Sequence, residues 1–186
     1  MKQQIILSGL GGQGVLFVSK ILGEAALARG LSVLMSETHG MAQRGGNVIS
    51  HVKVFEREKG KPEGERDAAT DPAWHVSPLI RPGHAHVLVA LHEEGVKAHG
   101  HFLSPNGTLV CNRTPRTGPG DVDATGIARK LGNPVAANLV LLGFAAASGA
   151  LFCSLDDLRR VLEKLGGPRR DANLAALEAG AEAGGE

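Results

Sequence analysis

The sequence predicts one α/β domain built on a mostly parallel sheet. Two observations carry that expectation. Short runs rich in Ile, Leu and Val alternate with stretches of helical period, and the first run passes through a cluster of glycines into a helix. The length of 186 residues and an apolar fraction of 42% suit a single folded domain with a real core.

Residues 4–8 (QIILS) form an apolar run of strand length that ends in glycines. From Val15 to Ala28 the pattern becomes helical, with Val15, Val18, Leu22 and Ala25 on one face and Gly30 as a stop. Residues 31–36 (LSVLMS) complete a strand–helix–strand opening, the unit of a parallel sheet with a right-handed crossover. Residues 47–55 (NVISHVKVF) alternate between two faces of different character, so an antiparallel strand at the sheet edge is expected there.

Residues 56–74 are charged, hold Gly and Pro, and read as an exposed insertion. Further strands are expected over 86–91 and 108–111, with "LSPNG" (103–107) as a turn between a helix at 93–101 and the second of them. A short helix is expected over 122–131. Pro134 opens a long apolar helix to about Ser148. Ser154 and Asp157 form a capping-box pattern ahead of a stripe of Leu155, Leu158, Leu162 and Leu165. A last helix at 170–179 is followed by a tail, 181–186, expected to fray.

Composition excludes several functions. With 20 basic and 19 acidic residues the net charge is +1, which offers no electrostatic footprint for nucleic acid or membrane. Five Phe, one Trp and no Tyr are too few rings for a base-stacking platform. The two cysteines, Cys111 and Cys153, have no metal-ligand spacing and fall short of the four thiolates of an iron–sulfur cluster. The histidine pairs His84/His86 and His99/His101 lack a further ligand at recognisable spacing, so no metal site is expected. Neither a signal peptide nor a run of transmembrane length is present, and a soluble cytoplasmic protein is expected.

Gly9, Gly11 and Gly14 satisfy G-x-G-x-x-G between a strand and a helix. Such glycines let the backbone turn tightly and let a phosphate or another chain approach the helix N-terminus. Glu37, at the end of the second strand, stands where a ribose-binding acid would. The fold class is therefore a Rossmann-like three-layer domain with a mostly parallel sheet and an antiparallel edge strand. A freestanding NAD(P)-binding protein is one reading, and a turn that only packs helix on sheet or docks a partner is another.

A second motif narrows the choice. "GLGGQGVL" (9–16), "ETHGMAQRGGNVISHVKV" (37–54), "SPLIRPGHAHVLVAL" (77–91), "FLSPNGTLVCN" (102–112), "NLVLLGFAA" (138–146) and "ANLAALEAG" (172–180) follow one another in that order. Together they resemble the small beta subunits of indolepyruvate:ferredoxin oxidoreductases, within the gamma-type domain of the 2-oxoacid:ferredoxin oxidoreductase family. The resemblance covers nearly all of the chain, as one gamma-type domain spanning 1–186. The string His39-Gly40-Met41-Ala42-Gln43-Arg44-Gly45-Gly46 favours the aryl-pyruvate branch over pyruvate, 2-oxoisovalerate or 2-oxoglutarate relatives. The family pattern carries acids where His86 and His92 stand.

The resemblance implies a large alpha subunit holding thiamine diphosphate, Mg²⁺ and [4Fe–4S] clusters. It implies a reaction in which a 2-oxoacid, CoA and oxidised ferredoxin give acyl-CoA, CO₂ and reduced ferredoxin, this chain being inactive alone. Arg44 is the first candidate site residue, because a guanidinium on a glycine-flanked loop is suited to fork onto a carboxylate or phosphate. A salt bridge that only shapes the loop would use the same group. Gln43 and His39 are candidates for hydrogen bonds into the partner's site, or for capping the loop backbone. Gly9, Gly11, Gly12 and Gly14 are candidates for cofactor contact, and Gln13 is expected to point out of the turn toward the same interface. Met41 is a candidate interface anchor. Asn138 is expected to be satisfied internally, close to the glycine turn.

Overall fold

A computed structural model describes residues 2–39, 46–56 and 77–185. Six strands form one sheet: β1 (Lys2–Leu10), β2 (Ser32–His39), β3 (Asn47–Phe55), β4 (Ala85–Ala90), β5 (Leu103–Asn112) and β6 (Asp121–Val122). Their order is β2-β3-β1-β4-β5-β6. β1, β4, β5 and β6 run parallel to one another, while β3 pairs antiparallel with both β1 and β2. The antiparallel strand expected over 47–55 is present, one place in from the rim. β2 is the edge strand.

That placement follows from the strand's two buried faces. Val48, Val52 and Val54 enter the larger core, and Ser50 on the same face hydrogen-bonds Ser19. Ile49 belongs to a smaller core on the other face, where His51, Lys53 and Phe55 are also buried. A strand buried on both sides is worth most inside the sheet, with both edges paired.

Helix α1 (Val15–Ala28) ends as expected. Gly30 takes φ 71°, and Leu31 N–H donates to Ala26 O at 2.9 Å. On the same side as α1 lie α4 (Ala137–Ala147), α5 (Leu155–Leu165) and α6 (Arg170–Gly184), all contributing to the larger core. The other side carries α2 (Glu93–His99) and a 3₁₀ turn (Gly100–Phe102), giving three layers. A short α3 (Ala124–Lys130) leads through a 3₁₀ turn at Pro134–Ala136 into α4. The Ser154–Asp157 capping box forms in full at the start of α5, whose buried stripe is Leu158, Val161 and Leu162.

Two expectations are corrected. "LSPNG" is not a separate turn: residues 103–112 are one strand, with Leu103 opposite Ala85 and Thr108 opposite Val87. The turn residues between them are absorbed as a bulge. Gly107 permits it, since a Cβ there would lie 2.9 Å from Ala85 O. The last helix is also longer than the 170–179 expected, because α6 continues to Gly184. Its glycines explain why. A Cβ on Gly180 would strike Val140 O, and one on Gly143 would strike Leu177 O. The α4 and α6 backbones thus meet in direct contact, which holds the last helix down.

The smaller face is closed by polar ties. His51 Nδ1 accepts from Ile80 N–H at 3.1 Å, and Lys53 Nζ donates to Ser77 O at 2.8 Å. Phe102 meets the His51 ring edge-on, with centroids 5.2 Å apart. His99 Nδ1 lies 2.7 Å from Ser8 Oγ, against which Gly95 packs. His86 Nδ1 accepts from Gln4 N–H at 2.8 Å, and His92 caps α2 by accepting from Glu94 N–H. Burial lowers His51 to about 4, with the neighbouring His99 and Lys53 charges acting in the same direction.

Gly180→Ala would normally stabilise a helix interior by up to about 1 kcal/mol, but here it is expected to cost about 1–3 kcal/mol by forcing α4 and α6 apart. A urea titration checks the sign. For His51, the folded state refuses a proton that the unfolded chain accepts below about pH 6.5. Stability is therefore expected to fall as pH drops from 6.5 towards 4, and to lose nothing further from this group below 4. His51→Asn, which keeps an acceptor for Ile80, is expected to flatten that slope in denaturation curves taken across the range.

Candidate functional site

The glycine turn sits where β1 ends and α1 begins. Two hydrogen bonds close it: Leu10 N–H donates to Gln13 Oε1 at 2.7 Å, and Gln13 N–H donates to Leu10 O at 3.1 Å. Gly12 and Gly14 take φ of 95° and 80°, a region that residues with a Cβ avoid. Gly9 is required for space. A Cβ there would lie 2.9 Å from Gln13 Oε1 and 3.0 Å from Leu91 and Val15. Gln13 is thus turned back onto the backbone to shape the loop, contrary to the outward orientation expected from sequence.

Asn138, on α4 and only 8% exposed, braces the turn from below. Its Oδ1 accepts from Leu139 N–H at 2.8 Å. Its Nδ2 lies against Gly14, where a Cβ would collide with it. An amide donor and the first N–H groups of α1 are therefore held side by side, an arrangement that suits an anionic group.

The second motif reaches the same place. Because β1 and β3 are antiparallel, Leu10 is opposite Asn47. Gly11 N–H donates to Gly46 O at 2.9 Å. The glycine turn and the end of the Arg-Gly-Gly string are thereby joined by a backbone hydrogen bond. His39 is the last residue of β2 and is paired with Val48, at the same end of the sheet. Arg44, Gln43 and Met41 lie outside the described residues.

The position of Glu37 argues against a Rossmann dinucleotide site. A ribose-binding acid belongs on the strand beside the glycine turn. Here β3 intervenes, which places β2 about 9–10 Å from β1 at the usual strand spacing. Glu37 is exposed on that distant rim.

Neighbouring strand ends are pinned by residues the sequence reading passed over. Asn112 Nδ2 donates to Leu91 O at 3.1 Å and to Thr125 Oγ1 at 2.8 Å, while its Oδ1 accepts from Thr125 N–H. Leu91 N–H donates to Ser8 O at 2.7 Å. An Asn directly after an apolar strand was the available signal. At the other rim, a groove of about 500 Å³ is lined in part by Thr108, Arg113, Thr117, Asp121 and Ser148. Asp121 there accepts from Thr117 N–H, Thr117 Oγ1 and Gly118 N–H, and Arg113 donates to Thr117 through Nη1, while its buried Nε has no partner among the described residues. Burial opposes the Asp121 charge, but those hydrogen bonds and Arg113 outweigh it and hold the carboxyl below its usual range.

No three His, Cys, Asp or Glu among the described residues are grouped to hold a metal. Both cysteines are buried. Burial pushes the Cys111 thiol up, and pushes Cys153 to about 12, so neither is primed as a thiolate.

Comparison with known proteins matches residues 4–183 to the family model for pyruvate ferredoxin/flavodoxin oxidoreductase. The indolepyruvate oxidoreductase subunit IorB of Methanothermobacter thermautotrophicus is 30% identical, with all of both chains covered. That of Archaeoglobus fulgidus is 29% identical, over 97% of this chain and 94% of the relative. Among solved structures, the gamma subunit of a keto/oxoacid ferredoxin oxidoreductase from Geobacter sulfurreducens shares the fold. Its TM-score is 0.72 at 22% identity, with 98% of each chain covered.

The turn yields a graded prediction. Gly12→Ala meets open space and is expected to cost only the left-handed backbone penalty, about 1–2 kcal/mol. Gly14→Ala carries that penalty plus the collision with Asn138, and is expected to cost more. Asn138→Ala in the same chain should recover part of the excess. Urea midpoints for the three variants check the order. Equal costs for Gly12→Ala and Gly14→Ala would show that Asn138 does not brace the turn.

Proposed function

This chain belongs to the pyruvate ferredoxin/flavodoxin oxidoreductase family, and from that premise we propose that it is the small subunit of an indolepyruvate (aryl-pyruvate):ferredoxin oxidoreductase. It works with a larger subunit. The overall reaction is oxidation of a 2-oxoacid to acyl-CoA and CO₂, with CoA as acceptor of the acyl group and ferredoxin as acceptor of the electrons. Residues 1–186 act as one gamma-type domain in which 56–74 is an insertion. No helix among the described residues is long and apolar enough to cross a membrane, and the proposed location is the cytoplasm.

The division of labour follows from the residues. Two buried cysteines cannot supply the four thiolates of a [4Fe–4S] cluster, so the clusters belong to the large subunit, with thiamine diphosphate and Mg²⁺. Bound there, the thiamine cofactor supplies the electron sink for decarboxylation. This chain's part is binding and orientation. Arg44 forks onto the carboxylate of the 2-oxoacid or a phosphate of CoA, with Gln43 and His39 as hydrogen-bonding neighbours. The N–H groups of Gly12 and Gly14 and Asn138 Nδ2 suit a CoA phosphate.

The observation that supports the reading is the Gly11–Gly46 hydrogen bond, which ties the last residue of the Arg-Gly-Gly string to the glycine turn. The string itself supports an aryl-pyruvate substrate over the smaller 2-oxoacids. A freestanding NAD(P)-binding protein is disfavoured by the strand that separates Glu37 from the glycine turn.

The test is anaerobic co-purification with the large subunit, followed by indolepyruvate- and CoA-dependent ferredoxin reduction. Arg44→Ala is expected to leave assembly intact and lower kcat/KM by roughly 10- to 100-fold, the worth of a charge-assisted hydrogen bond. Unchanged kinetics in an intact complex would remove Arg44 from the site.

A further inference from the structure

The groove at the β5–β6 rim holds a cation with an unanswered donor. Arg113 directly follows β5, and its backbone N–H donates to Val122 O at 3.0 Å. Its guanidinium is gripped on one side. Nη1 donates to Thr117 Oγ1 at 2.7 Å and stands 3.6 Å from Asp121 Oδ2. Asp121 is fixed in turn, since the same oxygen accepts from Thr117 N–H, Thr117 Oγ1 and Gly118 N–H. The Asp121 side chain is 5% exposed and that of Arg113 22%. Nε lies on the opposite edge of the guanidinium, beside Nη2. It is buried and has no hydrogen-bond partner among the described residues.

A salt bridge that only shaped the turn would have no use for this donor. A buried N–H without an acceptor forfeits its hydration and gains nothing in return. The adjoining Cys111 is a poor substitute. Burial pushes its thiol up against the opposing effect of the Arg113 charge, and a protonated thiol accepts weakly. The edge formed by Nε and Nη2 is the one on which a carboxylate docks side-on, through two parallel N–H···O bonds. Asp121 does not occupy it, because Asp121 meets the guanidinium at Nη1.

The space beside Arg113 suits a small molecule. The groove encloses about 500 Å³, within the range of small-molecule sites. Leu109, Val110 and Pro119 give it an apolar lining, with Thr108 and Ser148 among them. A Cβ on Gly120 would strike Leu109 O, so the turn that walls the groove is packed directly on β5. The glycine turn lies elsewhere. β4 separates β1 from β5, which sets those two strands about 9–10 Å apart at the usual spacing.

We propose that this groove binds a small organic monocarboxylate, whose carboxylate forks onto Nε and Nη2 of Arg113 and whose apolar body rests on Leu109 and Pro119. Asp121 and Thr117 are positioning residues that aim the guanidinium. Such a site is independent of whatever binds at the glycine turn.

Benzoate is the probe, and benzamide, its neutral isostere, is the control. The full chain carrying isotope-labelled arginine gives an Nε–H signal for Arg113, identified by its absence from Arg113→Lys. Benzoate is expected to shift that signal saturably, with a Kd of about 1 mM or tighter. Benzamide is expected to bind about tenfold more weakly or worse. Arg113→Lys keeps the charge but loses the fork, and is expected to weaken benzoate binding by about tenfold or more, read from the ligand's own resonances. Thr108→Phe keeps Arg113 and its ties but fills an exposed part of the groove, and is expected to weaken binding too. It decides the matter if circular dichroism shows that Arg113→Lys has not folded. The proposal is overturned if benzoate gives no saturable shift, if benzamide binds as well, or if either folded variant binds benzoate like the wild type. A signal that moves only when the larger subunit is added would assign the acceptor to that subunit and overturn it as well.

Discussion

The structure depends on one strand that enters the sheet backwards. β3 runs antiparallel between β1 and β2, and with both faces and both edges covered it has no freedom to slip: a shift of one residue would exchange Val52 and Val54 for His51 and Lys53 in the larger core. That register aligns Ser50 with Ser19 and presents His51 and Lys53 to residues 77–80. It also brings the start of β3 back to the end of β1, where Gly46 meets Gly11. The same insertion that spoils a dinucleotide site holds Gly46 against the glycine turn, two points separate in sequence and adjacent in space.

Much of this was legible in the sequence where the signal was local. α1 begins after Gly14 and stops before Gly30, as its glycines and apolar spacing indicate, and β3 follows its alternation to the residue. The capping box at Ser154 is a four-residue pattern that needs no tertiary partner. Strand order was not legible, because pairing is decided between segments and not within one. The contact of α4 with α6 escaped for a related reason. Gly143 reads as a poor helix former until Leu177 O is seen to fill the space beside it. At the turn, the glycines were legible from their spacing and the closeness of Asn138 from the resemblance, whereas the inward turn of Gln13 depends on a hydrogen bond that no pattern announces.

The division between scaffold and chemistry is equally physical. Histidines 51, 86, 92 and 99 are each bound to an internal partner, a backbone N–H for the first three and Ser8 for the last. Both thiols are buried. Among the described residues, the glycine turn contributes backbone N–H groups, with the Asn138 amide beside Gly14 and Gly46 hydrogen-bonded to Gly11. Such groups suit the reception of a group supplied by another molecule.

The central claim is that the glycine turn and the loop joined to it face the larger subunit's active site. Hydrogen–deuterium exchange of the full chain, alone and in the purified anaerobic complex, tests it most directly. The account predicts that amides of residues 10–17 and 38–47 gain protection together on assembly, with a further gain when CoA is added. Protection confined to α5 and α6, with the glycine turn exchanging as it does in the free chain, would contradict it.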